Sequence, residues 1–375
     1  MRADQIAGRR VRNSRLTKSE FVGPDQVVRW HGAMQAQDYG PAKWSIGQRA
    51  TGLVDADVDE ALASGLIVRT HVLRPTWHFV ARDDVRRLIA LTGPRVQQHT
   101  APRYRQLGLD AKTRARCERT IASGLEGGNQ MTRNEIGAVL ARARIDASGQ
   151  RLPHVLLHCE LEAVICSGGL RGKQQTFALF DDRVPPNDRA FDREDALVEL
   201  ARRYLKSHGP ATEQDLRWWS SLTIADIRRA LHHLGDQVRS ESIEGLTFWS
   251  SAGEPARPPG SRGVHLLQVY DELLVGYTQS RFFGDPGAPV AQAARSDRRL
   301  PSGVVLSNGK VAGRWRRTIE PRGVKIEVHL HESLESPSAR ELDRAVRRLG
   351  RFVGRPAELL PRVVRAKHPI KMRSR

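Results

Sequence analysis

The stretch Leu66–Val80, LIVRTHVLRPTWHFV, sets the reading of the N-terminal part of the chain. Apolar and polar residues alternate on both sides of Arg74-Pro75, the pattern of two half-buried strands joined at a turn. Leu73, Trp77 and Phe79 are expected on one strand face. Upstream, Pro24-Asp25 opens a helix that carries Val27, Val28 and Trp30 through Met34. Asp38 to Pro41 breaks the chain, Ala42 to Arg49 is a short helix, and Val54 to Ser64 is a third helix ended by Gly65. Three helices followed by a hairpin predict a winged helix.

The pattern recurs. Thr132-x-x-Glu135 is a capping box that opens Ile136 to Arg142, Leu152 to Ser167 reads as a longer apolar helix, and GGLRGKQQTFALF is a glycine-punctuated hairpin with Arg171 and Lys173 at its tip. Further on, Asp195 to Ser207 is amphipathic, Gly209-Pro210 breaks it, and Thr212 caps TEQDLRWWSSL. TIADIRRALHHLG and short strands near Val238 and Leu246 to Trp249 complete a third unit. Beyond the Pro/Gly-rich stretch Glu254 to Gly263 the chain turns to strand patterns: VHLLQVYDELLVGY, then a run in which Asn308-Gly309 signals a hairpin turn. Ser338 to Phe352 closes as an Arg-rich amphipathic helix. The expected division is 1–100, 101–190 and 191–252 for three winged helices and 253–375 for a mostly β unit, an α+β protein.

The chain has 375 residues, more than one compact core accommodates, and 39% of them are hydrophobic, enough for packed cores. No run is long and apolar enough to span a membrane, and the start lacks a basic head followed by an apolar signal core. A cytoplasmic, nucleoid-associated location in a bacterium is therefore expected. Cys117, Cys159 and Cys166 are an odd count without a Cys-x-x-Cys pair, which argues against a disulfide framework and a zinc ribbon. His154 and His158 stand four apart but have no second ligand cluster, so no metal and no cofactor is expected.

Lys and Arg number 61 against 42 Asp and Glu, a net charge of +19. The excess is spread along the chain, with a pI near 10.8, which points to duplex DNA as the partner, with a generic basic surface as the alternative. Winged-helix hairpins touch phosphate or the minor groove, so Arg74, His78, Arg171 and Lys173 are candidate DNA contacts, as are Arg314, Arg316 and Arg317 near the C-terminus. Lys43 is expected at a phosphate, with a Schiff-base nucleophile as its alternative role. Trp44 is carried as a DNA contact, with a core position as the alternative for it and for Trp77 and Trp219.

Gln35 and Gln37 stand one residue apart at what reads as a helix end, where they converge only if the helix unwinds. Asp38 is then a turn residue. A carboxamide is no base at neutral pH, but its oxygen can hold a water and lie near a developing cation. That suits a leaving group that departs easily, such as the cationic base of N7-alkylguanine. The plain alternative is that both amides cap backbone.

The sequence resembles the bacterial winged-helix DNA-binding family that includes the AlkZ-like DNA glycosylases, best known from azinomycin producers. The resemblance rests on Met34-Gln35-Ala36-Gln37 with Asp38-Tyr39-Gly40, similar to the family's Gln-x-Gln motif. It rests also on Arg69-Thr70 through Leu73-Arg74, Thr76 and His78, and on Asp271-Glu272 to Gly276-Tyr277 with Gly309 to Arg317. It implies three tandem winged helices and a β-rich, barrel-like unit, wrapped on duplex DNA as a C-shaped clamp. It further implies a monomeric, monofunctional glycosylase in which Gln35 and Gln37 are catalytic for bulky alkylpurines, including interstrand crosslinks, with antibiotic self-resistance as one setting. Pro75 departs from the glycine, and Tyr277-Thr278-Gln279-Ser280 from the Tyr followed by Arg and Asp, that the family pattern carries. A non-catalytic regulator or architectural DNA-binding protein is the alternative; a nuclease is disfavoured because no paired-carboxylate metal motif is present.

Overall fold

Leu66–Val80 folds around an antiparallel hairpin, Ile67–Val72 against Arg74–Ala81, in a computed structural model that describes residues 3–186, 190–253, 263–283, 303–361 and 363–364. The turn is at Leu73, with φ of 63°, rather than at Arg74-Pro75. Leu73 therefore leaves the face of Trp77 and Phe79: it packs in one core while Phe79 packs in another. Every residue of Ile67–Val72 is buried, so the hairpin expected as an exposed wing is instead an inner sheet between two cores.

A third strand, Met34–Gln35, lies on the outer edge of Arg74–Ala81, with Met34 opposite Phe79 and Gln35 opposite His78. The sequence reading had this stretch as the end of a helix. The helix Pro24–His31 stops three residues earlier because Gly32 takes a φ of 80°, open to glycine at little cost. Helices Tyr39–Gly47 and Asp55–Ala63 follow, giving the order helix, strand, helix, helix, hairpin.

The same order returns twice. In the second segment Ala111–Leu125, Met131–Thr132, Arg133–Arg142 and Arg151–Leu161 precede the hairpin Ile165–Arg171 with Gln174–Leu179, and the three strands pair as in the first segment. Thr132 and Glu135 form the capping box, the Thr132 N–H donating to Glu135 Oε2 at 2.7 Å. The last of these helices is shorter than expected, since the chain turns at Ala163 with a φ of 54°. In the third segment Arg193–His208, Glu213–Ser220 and Ile224–Leu234 lead to the hairpin Val238–Ile243 with Leu246–Ser251, and an isolated Ala211–Trp249 bridge stands where the third strand would be. Helices Ala3–Asn13 and Arg82–Gln106 were not anticipated.

VHLLQVYDELLVGY is a strand only over Val264–Leu267. Asp271 then caps a single helical turn, Glu272–Val275, by accepting from the Leu273 N–H at 3.0 Å. Strands Gly303–Ser307, Lys310–Glu320 and Gly323–Leu330 continue the sheet through the Asn308-Gly309 turn, whose positive φ values suit a tight hairpin. With Ala357–Leu359 these strands curl as half a barrel, and Val363–Val364 pairs beside it. Helix Ser336–Val353 covers the sheet with Leu342, Val346, Leu349 and Phe352, spaced for one apolar face. Of the expected linker only Gly263 lies within the described residues.

Cores cross the expected boundaries. One joins the first hairpin to the third segment's helices and Tyr277; a second joins the first segment to the C-terminal sheet; a third is internal to the second segment. Each fully buried Leu, Val or Phe in them contributes about 1.5–3 kcal/mol, so the segments hold one another in place. All three cysteines are free and buried.

Candidate active site

The two glutamines stand on either side of the edge strand's end. Ala36 N–H donates to Trp77 O at 2.7 Å, prolonging the strand by one residue, and the chain bends at Gln37 before the helix Tyr39–Gly47. Gln35 is buried on the strand and Gln37 is exposed at the bend. The helix-end geometry expected from sequence is replaced by a simpler one.

Across the sheet Gln35 faces His78, and His78 faces Thr70, so the three form one row over three strands. Four buried polar atoms in and beside the row have no partner among the described residues: Gln35 Oε1, His78 Nε2, Thr70 Oγ1 and, nearby in sequence, Thr76 Oγ1. Buried polar atoms are nearly always paired, so bare ones gathered at one place call for an explanation. His78 is neutral, its pKa pushed down to about 3 by burial and then by the charge of Arg74.

Glu272 anchors this row from the C-terminal segment. Its Oε1 accepts from the Gln35 N–H at 2.6 Å, and its Oε2 accepts from Trp219 Nε1 at 3.0 Å with His208 Nε2 at 3.2 Å. Burial alone would raise its pKa, but the His208 hydrogen bond and the charges of His208 and Arg74 hold it down at about 2. Beside it Asp271 takes a bidentate grip from Arg49, at 2.7 and 2.8 Å, with both side chains fully buried. One short turn thus carries two fixed anions, one for the glutamine strand and one for Arg49, just past the helix Tyr39–Gly47.

Arg74 is buried beneath the exposed ring of Trp218, its guanidinium 5.6 Å from the ring centre. Its Nη1 reaches Val275 O at 3.4 Å, Trp218 Nε1 donates to the same oxygen, and Nε and Nη2 have no hydrogen-bond partner among the described residues. On the other side of the sheet Arg69 donates from Nε to Ala36 O at 2.9 Å and packs over Trp77, fixing the backbone between the two amides.

Several sequence-stated contacts fall elsewhere. Lys43 lies inside an ion-pair cluster, 2.6 Å from Asp55 and 2.8 Å from Asp59, and serves to join two helices rather than to meet phosphate or form a Schiff base. Trp44 is 2% exposed, donates to Leu266 O and packs on Phe352, so it is a core residue and not a DNA contact. His78 is fully buried, a member of the row rather than a wing-tip contact. Arg171 is exposed but folded back on Glu135 at 2.6 Å, and Lys173 is exposed in the second hairpin's turn.

Arg314, Arg316 and Arg317 do not share a face. Arg316 stands exposed against Glu327 at 2.5 Å, while Arg317 turns inward, its Nη2 close to Gly40 and its charge facing Asp55 and Asp38. That brings the C-terminal hairpin to the rim beside Gln37. Asp38 is exposed at the N-cap position of Tyr39–Gly47.

Sequence reading gave Arg49, His208 and Trp218 no role, carried Trp219 only as a core candidate, and used Glu272 only as part of the family resemblance. The available signal was the acid pair Asp271-Glu272 within an apolar run, a costly placement unless it is partnered. His158 is held by Glu118 and Gln97, and among the described residues no group of His, Cys, Asp and Glu gathers to hold a metal ion. No described helix is long and apolar enough to cross a membrane.

A comparison with curated proteins finds no match. Among solved structures the chain is similar to the Streptomyces sahachiroi DNA glycosylase AlkZ, with a TM-score of 0.78 and 21% identity over 96% of this chain and 100% of that one. That likeness is one of fold. The family model described as DNA glycosylase AlkZ-like matches residues 28–352, a span that takes in the glutamine strand, the His78 row and the Glu272 turn. With that span matched, the chain belongs to the AlkZ-like DNA glycosylase family and is a DNA glycosylase.

Proposed function

We propose that this DNA glycosylase is monofunctional and hydrolyses the N-glycosidic bond of bulky N7-alkylguanine or a related alkylpurine in duplex DNA, with Gln35 and Gln37 as its catalytic residues. The observation that carries the reading is the amide pair at the end of the edge strand, Gln35 buried with a bare oxygen and Gln37 exposed at the bend that follows. Gln35 Oε1 suits the attacking water, and Gln37 suits the sugar of the damaged nucleotide. An alkylated purine already carries positive charge, so no strong general acid is needed.

Residues 1–100, 101–190 and 191–252 act in this reading as winged-helix units, and 253–375 as the unit that closes a C-shaped clamp on the duplex. A monomer is sufficient for such a clamp. Removal of interstrand crosslinks and self-resistance to a DNA-alkylating natural product belong to the same proposal, supported by the resemblance to the family. The regulator reading is set aside by the family.

The test is release of 7-methylguanine, and of a bulky N7-guanine adduct, from duplex DNA under single-turnover conditions. Gln35→Ala and Gln37→Ala are each expected to slow release by about 10²-fold, the cost of removing one preorganised polar group from a reaction centre, with DNA affinity retained. Native rates in both variants would leave the amides as backbone caps.

A further inference from the structure

The Gln35 row contains more acceptors than the two-glutamine reading uses. His78 Nδ1 lies 2.8 Å from Thr76 O, and a carbonyl oxygen only accepts, so Nδ1 carries the ring's hydrogen. In the neutral ring Nε2 is then a bare lone pair, buried and without a partner. Directly across the strand pair stands a second bare acceptor, Gln35 Oε1, on a residue whose Cβ in such a pair is about 4.5–5.5 Å away. Two acceptors cannot satisfy each other. A small donor with two hydrogens satisfies both, and water is that donor.

We infer that His78 is a third catalytic residue: its Nε2 and Gln35 Oε1 each accept one hydrogen of the attacking water, which turns a lone pair of the water oxygen toward C1′. The inference rests on the proposed role of Gln35 and extends it. In the step, the bond from C1′ to the base nitrogen breaks with its electron pair going to the cationic base, which leaves neutral. The water oxygen bonds C1′, and the proton it loses passes to His78 Nε2 and on to solvent. A ring this reluctant to hold a proton still accepts one from an oxygen bonded to an oxocarbenium centre, and then releases it, ready for another cycle.

His78 has two ends, and two substitutions separate them. The amide of His78→Asn reaches where Nδ1 stands and keeps the contact to Thr76 O; the longer side chain of His78→Gln brings its amide oxygen to where Nε2 stands. If His78 acts on water, His78→Gln, which still holds the water but takes no proton, keeps a single-turnover release rate within about tenfold of native, while His78→Asn is slower by about 10²-fold at unchanged DNA affinity and unfolding midpoint. If the ring only supports the strand, the order reverses, with His78→Asn near native and His78→Gln impaired, and the inference is overturned. Gln35→Ala measured alongside keeps the two claims apart. A slow Gln35→Ala with a native-rate His78→Asn removes His78 alone, whereas a native-rate Gln35→Ala removes the amide site and this extension with it.

Discussion

A carboxylate with no exposure to water survives ionised only if its neighbours replace the solvent, and Glu272 is such a group. Its pKa is about 2 in the folded protein against an ordinary 4.5. A depressed acid contributes stability above the unfolded value and loses it as pH falls through the folded one, so the contribution, about 3 kcal/mol, is present above pH 4.5 and lost between there and pH 2. Urea unfolding of the native protein should therefore shift to lower midpoints between pH 5 and about 3, and Glu272→Gln should flatten that dependence. An equal slope in both proteins would place the acid sensitivity elsewhere. The glutamines were legible because two amides before Asp-Tyr-Gly-Pro are an odd way to end an apolar run. Glu272 was not, since it reaches Gln35 across 237 residues and sits in a run that reads as a strand.

Elements were read well where the local chemistry is strong and poorly where tertiary contacts override it. The Thr132 and Thr212 caps and the Asn308-Gly309 turn appear where their side chains place them. Helix Arg82–Gln106 escaped notice because Pro94 and Pro102 lie inside it, residues that ordinarily end a helix. The first hairpin was recognised as a hairpin but not as buried, because alternation reports strand period and not what lies on each side. In the C-terminal hairpin successive residues face opposite ways, so Arg316 is outward while Arg317 is turned toward Gly40. Arg316→Glu is expected to weaken DNA binding and to lower the slope of log affinity against log salt by about 1 for the lost phosphate contact. A slope equal to that of the native protein would take this hairpin off the duplex.

At the scale of the whole molecule the first helix is tied to residues 200 and 270 positions further along the chain. Arg10 in the first helix donates to Pro210 O at 2.9 Å and to Ser280 O at 2.6 Å, lies 3.8 Å over the Tyr277 ring, and faces the buried Asp215. Arg10→Ala leaves Asp215 without its cation and is expected to cost about 3 kcal/mol, as when one partner of a buried pair is removed, read as a lower unfolding midpoint. An unchanged midpoint would show that the hydrogen bonds of Thr212 and Ser280 hold Asp215 on their own. Such long-range ties, like the cores that cross segment boundaries, have no local signature, which is why the repeat was legible and its packing was not.

The cysteines carry a consequence of their own. Burial pushes the thiols of Cys117 and Cys159 above their ordinary range and that of Cys166 up to about 12, so none holds an appreciable thiolate population near neutral pH. Thiolates are the nucleophiles that electrophilic drugs and toxins capture first. On the proposed reading the enzyme meets such compounds in solution as well as on DNA, and its three cysteines offer them no reactive thiolate.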